Sequence, residues 1–487
     1  MTRQWCPTLT AVLVLGAFGC AQTTRRPEVE GPVRPASYES PRVEPMTMPT
    51  AAVLAQPALS GPQPMDVYIR RALVENRTVQ AAYHNVQSLK QRIPQVVALD
   101  DPVASNVVFP IPSVAPQYSL MGYNPYNLTL AQQFPWFGTL RLRGEAAEKD
   151  VQVALAELAA AQLDTVAAVK RAYYNLHASM RTEEILRENH KILEDFREIA
   201  RERLSAGGTQ QDVLRAEVLI SELDRERATN TQGTTSARSA LARQLHVSPA
   251  TDLKTMPELP LSAAAPAEFE RLYRLAIATL PELQGRLAAV ARDEKAVELA
   301  RKRFYPNITL GLSYMDMEKT NAATPKTATG FPNIGLFAAF NLPVHRDKYR
   351  AGVCEAQQRQ IADAKLYEAQ RDETSSEIQD FLVQVKTQQG VLTLLRDSIL
   401  PRTQESFKLA RSDYAKSNAD YSTVQSALRE VLQVRLQIIQ VEAELGKAIA
   451  SLERAVGGEI NQHPPTPAPP APTLAPDARP RGPILKR

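Results

Sequence analysis

Asn127-Leu-Thr-Leu-Ala-Gln-Gln-Phe134 reads as a strand and closes on Pro135-Trp-Phe-Gly138; from Leu142 to Ala206 the chain then carries no proline and one glycine, Gly144. Apolar residues recur in this stretch at alternating threes and fours: Leu155, Leu158, Val166, Val169, Tyr173, Leu176, Met180, Leu186, Leu193 and Phe196. That is the period of a coiled-coil seam. At about 1.5 Å per residue, such a helix reaches roughly 90–100 Å, well beyond the width of a small domain. Ala206-Gly207-Gly208-Thr209 breaks it, and Gln210-Gln-Asp-Val-Leu214 restarts a helix at once, with Thr209 placed as its N-cap. A strand that feeds a very long helix with a sharp return at its far end is built to span distance. No catalytic pocket is evident in it.

Working outward, the same layout occurs twice. The first unit, 65–246, is predicted to hold a helix from Met65 to Gln95 capped by Asp66, a proline-interrupted β region from Val103 to Phe134, the long helix, and a return helix to Leu245. The second, 267–457, is predicted to hold a helix from Ala267 to Phe304 and strands at Tyr305–Asp316 and Phe331–Leu342. A long helix from Tyr349 to Lys416 follows, broken at Ser417-Asn418, with a return from Tyr421 to Val456. Asn127-Leu-Thr-Leu-Ala-Gln-Gln-Phe-Pro135 aligns with Asn333-Ile-Gly-Leu-Phe-Ala-Ala-Phe-Asn341. Ala200-Arg-Glu-Arg-Leu204 aligns with Ala410-Arg-Ser-Asp-Tyr414. Pro401 has no counterpart and is expected to kink the second long helix. Each long helix needs cover along its whole seam, so the short helices should stack end to end upon it. The proline-rich segment 247–266 then forms a waist.

The expected fold is therefore mainly α with a β part: a duplicated strand–long-helix hairpin with all strands at one end of a rod. Four strands of about nine to eleven residues match the length needed to cross a bilayer but are too few to close a barrel. They must be shared between subunits if they form one. A soluble β-cap on a helical rod is the alternative.

The ends of the chain point to export. Arg3 precedes an apolar run, Leu9–Phe18, of signal-peptide length, and the run ends Ala17-Phe18-Gly19-Cys20. That ending resembles a bacterial lipobox and makes Cys20 the candidate lipidation site; ordinary cleavage near Gly19 or Ala21 is the other reading. Residues 21–64 form a Pro-rich tether, and 458–487 a Pro-rich tail expected to be disordered. No stretch of eighteen continuous apolar residues suggests a transmembrane helix.

Composition excludes several functions. The 487-residue chain carries 57 basic and 53 acidic residues, a net charge of +4, too balanced for a nucleic-acid partner. Three cysteines, Cys6, Cys20 and Cys354, build no disulfide framework. The six histidines lack zinc-site spacing, and neither a phosphate-binding loop nor a nucleophile elbow occurs, so no enzyme, metal or cofactor is expected. Met315 and Met317 share a strand face and offer two thioethers to a soft metal, but apolar filler is the simpler reading. Turn chemistry accounts for Asp100-Asp101 before Pro102, and Tyr173-Tyr174 reads as helix core.

On these residues the chain resembles the TolC-like outer-membrane efflux proteins. Phe134-Pro-Trp-Phe-Gly138 resembles the strand-to-helix junction of the metal-efflux (CusC- and CzcC-like) branch. Arg92-Ile-Pro-Gln95, Asp101-Pro102, Arg171-Ala-Tyr-Tyr-Asn-Leu176 and Gln210-Gln-Asp-Val-Leu-Arg-Ala216 resemble other recurring stretches. The likeness covers about Met65 to Gly457. It implies a homotrimer with a twelve-stranded barrel in outer-membrane lipid and a periplasmic helical tube. It also implies docking of the hairpin tips (Ala206, Gly207, Gly208, Thr209 and Ser417, Asn418, Ala419) onto a periplasmic adaptor coupled to an inner-membrane pump. Two departures concern the periplasmic mouth. Gly207 and Asp212 lie one residue closer than the family usually has them, and Thr423 and Ser426 stand where well-known members place aspartates. Asp212 and Asp420 remain the acidic candidates. Two other classes stay open: a periplasmic adaptor, which would show one hairpin and lipoyl-like flanks, and a lipid-anchored coiled-coil scaffold without a pore.

Overall fold

The computed structural model describes residues 61–108, 123–205, 207, 209–258, 268–318, 332–416 and 420–460. The signal segment with Cys20, the tether up to residue 60, the tip residues Ala206, Gly208, Ser417, Asn418 and Ala419, and the tail after residue 460 lie outside the described residues.

Each half opens on two helices where one was expected. The first half has α1 (Met65–Glu75) and α2 (Arg77–Val97); the second has α5 (Phe269–Thr279) and α6 (Pro281–Lys302). Asn76 makes the first break: its backbone leaves the helical region and its Oδ1 accepts from the N–H groups of Thr78 and Val79 at 2.8 and 3.3 Å, capping α2. Pro281 makes the second, because a residue before proline is pushed out of the α region, and Leu280 sits at φ −66°, ψ 118°. Asp66 lies in the first turn of α1, but the cap position belongs to Pro64 and no side chain caps it. The tether is also shorter than expected. Gly61–Gln63 is a strand, β1, paired in parallel with β4 (Leu253–Thr255).

The long helix α3 (Thr139–Ser205) is continuous for 67 residues, about 100 Å. Its seam is buried at Leu158, Val169, Tyr173, Leu176, Leu186, Leu193 and Phe196, as the period predicts. One eighteen-residue window of α3 is apolar enough to cross a membrane. Its alanines Ala154, Ala156, Ala159 and Ala167 are core, however, and α2, α4, α6 and α9 all pack on this helix. Val79 and Val86 of α2 cover Val151, Ala154 and Leu158 of α3. The return helix α4 (Gln210–Gln244) covers the distal part, with Ala216, Leu219 and Leu223 packed against Leu186, Leu193 and Phe196. Between them, Tyr68 and Ala72 of α1 and Leu241 and Ala242 of α4 meet over Val169, Tyr173 and Leu176. The short helices do stack end to end. His246 (φ 52°) seals the joint, accepting the N–H of Arg77 on Nε2.

The waist strands are held by tyrosines from the helices below them. Tyr68 donates its hydroxyl to the Lys254 carbonyl and Tyr173 to the Gln63 carbonyl, both at 2.9 Å, while Met256 N–H donates to the Tyr173 oxygen. Burial pushes the Tyr68 hydroxyl up to about 12, so both phenols stay neutral donors. Tyr174 packs on α9 (Tyr421–Val456), where only Gly446 leaves room for its ring.

In the second half the long element is interrupted. It runs as α7 (Arg346–Leu394), a π turn at Leu395–Ile399 and α8 (Leu400–Ala415). The irregularity expected at Pro401 thus takes the form of a π turn just before it. α6 ties the halves together: Arg292 reaches Asp150 on α3, Asp363 on α7 and its neighbour Asp293. Asp293 is itself buried, which holds its carboxyl above the usual range.

The remaining strands form one antiparallel sheet in the order β2 (Val103–Val108), β3 (Tyr123–Phe134), β5 (Ile308–Glu318), β6 (Asn333–Phe340). Within the β region expected from Val103 to Phe134, the described part of β2 stops at Val108. Each half contributes one hairpin pair, and β3–β5 joins the halves.

Candidate functional site

Two regions stand apart from the packed helices as candidate sites, and both follow from local sequence. The first is the sheet. Its register lines up Asn106, Leu128, Tyr314 and Ile334 in one row and Ala104, Leu130, Leu312 and Leu336 in the next. Ser105, Thr129, Ser313 and Gly335 fill the row between, on the opposite face. Because side chains alternate along a strand, one face is Leu-, Ile- and Tyr-rich and the other small or polar. The apolar face is bare: Leu336 is 87% and Ile334 71% exposed. Phe337 turns the other way and lies over Gly311, where an added Cβ would sit 2.3 Å from its ring. The outer edges of β2 and β6 have no strand beside them among the described residues.

The second region is the far end of the rod. Gly207 adopts φ +97°, a conformation open to glycine at little cost, and its N–H donates to the Leu204 carbonyl. Thr209 occupies the N-cap position of α4, but its side chain accepts no capping bond. Asp420 stands likewise at the start of α9. Asp212 lies in the first turn of α4 close enough to act electrostatically on Tyr421. Burial pushes the Tyr421 hydroxyl up to about 12, with Tyr414 and Asp212 adding to it. Thr423 and Ser426 are exposed on α9, and Ser426 spends its hydroxyl on the Ser422 carbonyl of its own helix. The structure therefore brings Asp212 to the start of the second return helix, whereas Thr423 and Ser426 face away from the packed core.

The residues that join the two hairpins were not singled out from sequence. The Arg203 guanidinium lies 4.1 Å from the Tyr414 ring centroid and donates to the Tyr414 carbonyl at 2.8 Å. Tyr414 meets Tyr421 edge-on at 5.9 Å, and Phe196 meets Phe407 at 6.2 Å. The available signal was a pair of tyrosines seven apart astride the second break, with an arginine just before the first.

No group of three or more metal-ligating side chains occurs among the described residues. Cys354 is exposed and free.

The profile of a family described as outer membrane efflux protein matches residues 118–245 and 272–458, taking in both long hairpins. The chain belongs to the outer membrane efflux protein family. As a member it is a transport protein of the bacterial outer membrane and not an enzyme. Among solved structures it is similar to the outer-membrane channel OprN (TM-score 0.68, 19% identity, covering 81% of this chain and 90% of that one). It is similar to CusC (0.67, 17%, 81% and 92%) and to VceC from Vibrio cholerae (0.66, 17%, 82% and 97%). At this level of identity the likeness fixes the fold of the efflux protein and nothing finer. No curated protein matches it in sequence.

Proposed function

We propose that three copies of this efflux protein assemble into one duct that passes substrates from a periplasmic adaptor and inner-membrane pump to the exterior. The sheet carries the argument. An amphipathic sheet with two unpaired edges is an aggregation hazard unless another strand pairs with each edge. With the four alternating strands described in this sheet, β6 of one copy meets β2 of the next in the same antiparallel sense, so three copies close a twelve-stranded ring. β3 and β5, at 12 and 11 residues, are long enough to cross the hydrocarbon layer when tilted. The Leu/Ile/Tyr face then meets lipid and the Ser/Thr/Gly face lines a wet lumen.

In this reading residues 65–246 and 267–457 are the two repeats, 247–266 the waist, 1–20 the signal segment, 21–64 a tether that ends in the strand at 61–63, and 458–487 a tail. Cys20 is the acylated N-terminus. The tips at 206–209 and 417–419 dock onto the adaptor, and Asp212 and Asp420 mark the mouth. The Phe-Pro-Trp-Phe-Gly junction tilts the cargo towards cations.

Conductance of purified protein in a planar bilayer tests the duct. Discrete, long-lived single-channel steps are expected; their absence from protein shown to be inserted favours a lipid-anchored scaffold. Thr209→Trp combined with Ala419→Trp spares the glycines, so insertion should survive while efflux and in-cell crosslinking to an adaptor are lost. Full efflux in that variant would place the contact elsewhere. Intact mass of the mature protein should show a chain starting at Cys20 with three acyl groups.

A further inference from the structure

The end of the sheet nearest the helices is organised as an unusual collar. Phe134, Ile308 and Phe340 fall in one register row there, so the connections into α3, out of α6 and into α7 lie side by side. Trp136 stacks on Tyr305 at 5.0 Å, and Phe304 meets Tyr349 at 5.6 Å, closing the three connections into an aromatic patch. Apolar side chains beside it are bare, with Phe137 and Leu342 both 75% exposed.

The charge next to this patch is lopsided. Residues 135–145, 298–307 and 341–350 hold eight Lys and Arg against three acidic residues, in a chain where 57 basic residues face 53 acidic ones. Arg141 and Arg350 have carboxylate partners, Glu145 and Asp347. Arg143, Arg301, Arg303, Arg346 and Lys348 are exposed and have no ion pair among the described residues. Lys302 leans over the Tyr305 ring at 5.8 Å and against Gly138. The fourth connection, from α2 to β2, is the exception and carries Asp100 and Asp101.

Aromatic rings flanked by unpaired cations at the end of a membrane sheet match the interfacial zone of a bilayer, where rings sit at headgroup level and basic side chains reach phosphate. We propose that this collar binds the phosphate headgroups of anionic phospholipids in the periplasmic leaflet, with Arg301, Arg303 and Arg346 as principal contacts. The proposal rests on the reading that the sheet lies in the membrane. The occupant is a phospholipid and not a free anion, because the cations are joined to bare apolar surface that a free anion would leave in water.

Trp136 provides the test, being one of two tryptophans in the chain with Trp5. The mature protein starting at Cys20, which has lost Trp5 with the signal segment, is reconstituted into vesicles, and quenching of Trp136 is titrated with brominated phosphatidylglycerol or brominated phosphatidylcholine. One basic contact near a membrane surface is worth about 1 kcal/mol, so phosphatidylglycerol should quench at about fivefold lower mole fraction. The preference should vanish in R301Q/R303Q/R346Q and at high salt, and persist in R301K/R303K/R346K. Equal quenching by the two lipids in the unsubstituted collar overturns the proposal while leaving the sheet in the membrane. Quenching by neither lipid removes the membrane placement and the proposal together.

Discussion

The two long helices occupy corresponding places in a duplicated chain, yet they are covered differently. α3 is packed along its length by α1, α2, α4, α6 and α9, and its seam residues Leu176 and Leu186 have no exposed surface. α7 is packed by α5, α6 and α9, and buried positions appear on it only from Thr374 onward. Ile361, Leu366, Val383, Val391 and Leu394 stay bare. Among the described residues the waist strand β4 packs on α3 and on the return helix α4 of the same half. One repeat unit therefore supplies the inside of a protomer and the other its flank, which is where neighbouring copies of a shared tube would pack.

The sharpest way to break this contrast is a matched pair of truncations. Leu176→Ala removes a fully buried side chain and should cost about 2–5 kcal/mol in unfolding experiments. Leu366→Ala removes a half-exposed one and should leave protomer stability within about 0.5 kcal/mol while weakening the proposed trimer. If Leu366→Ala cost the protomer as much as Leu176→Ala, α7 would not be an assembly face.

A second pair carries the contrast into the sheet. Leu336→Arg on the bare face of β6 should lower insertion into vesicles by about 2–4 kcal/mol, as for an arginine facing lipid near mid-bilayer. Thr129→Arg on the opposite face should cost far less. Equal tolerance of both would make the sheet a soluble cap. Phe337, the neighbour of Leu336, is unsuited as the mild control, because its ring fills the space over Gly311.

The rod was legible in the sequence because it rests on a periodic signal. The long seam, the Gly-Gly return, the second break and the stacking of short helices follow from spacing and from the need to cover apolar surface. Strand lengths likewise placed the β part at one end of the rod, while its two faces come from the register. What escaped were features set by one side chain acting locally or by contacts across the chain. Asn76 reads as an ordinary polar helix residue until its side chain is seen capping α2. Gly61–Gln63 shows no strand pattern; it is ordered by Tyr173 and by pairing with β4, nearly two hundred residues away. Arg203 and Tyr414 are 211 residues apart, and no spacing rule joins them. The departures at the mouth were visible as substitutions, yet only the packing shows that Asp212 approaches Tyr421 while Ser426 is occupied by its own helix.

The join between the two hairpins tests whether the halves act as one body at the tip. Arg203→Ala removes a cation–ring contact and a charged hydrogen bond to Tyr414, together worth about 1–3 kcal/mol. Arg411→Ala removes a looser contact at 6.0 Å from Phe196 and should cost under about 1 kcal/mol. Hydrogen exchange should accordingly speed up around 410–424 in the first variant and barely change in the second.

The smallest expected effect belongs to the waist. His177 on α3 is covered by β4, with its Nδ1 3.3 Å from the Thr255 hydroxyl. Burial, helped by Arg181, holds the imidazole below its ordinary range, against the pull of the Met256 backbone and of Glu442 and Glu184. The unfolded imidazole titrates near 6.5, so below that pH the unfolded chain binds a proton the folded chain still refuses. Stability from this group is complete above pH 6.5 and falls as pH drops through 6.5 towards the lower folded value. His177→Gln keeps a polar side chain that does not titrate. Its melting temperature should therefore fall less than that of the unaltered protein between pH 7.5 and 5.5. Among the described residues no strand covers α7, and the acid sensitivity should be confined to amides of the waist, 61–63 and 253–256, when exchange is followed along the chain. Equal acid shifts in both proteins would mean that the waist opens before His177 is protonated, and that the belt is not what sets α3 apart from α7.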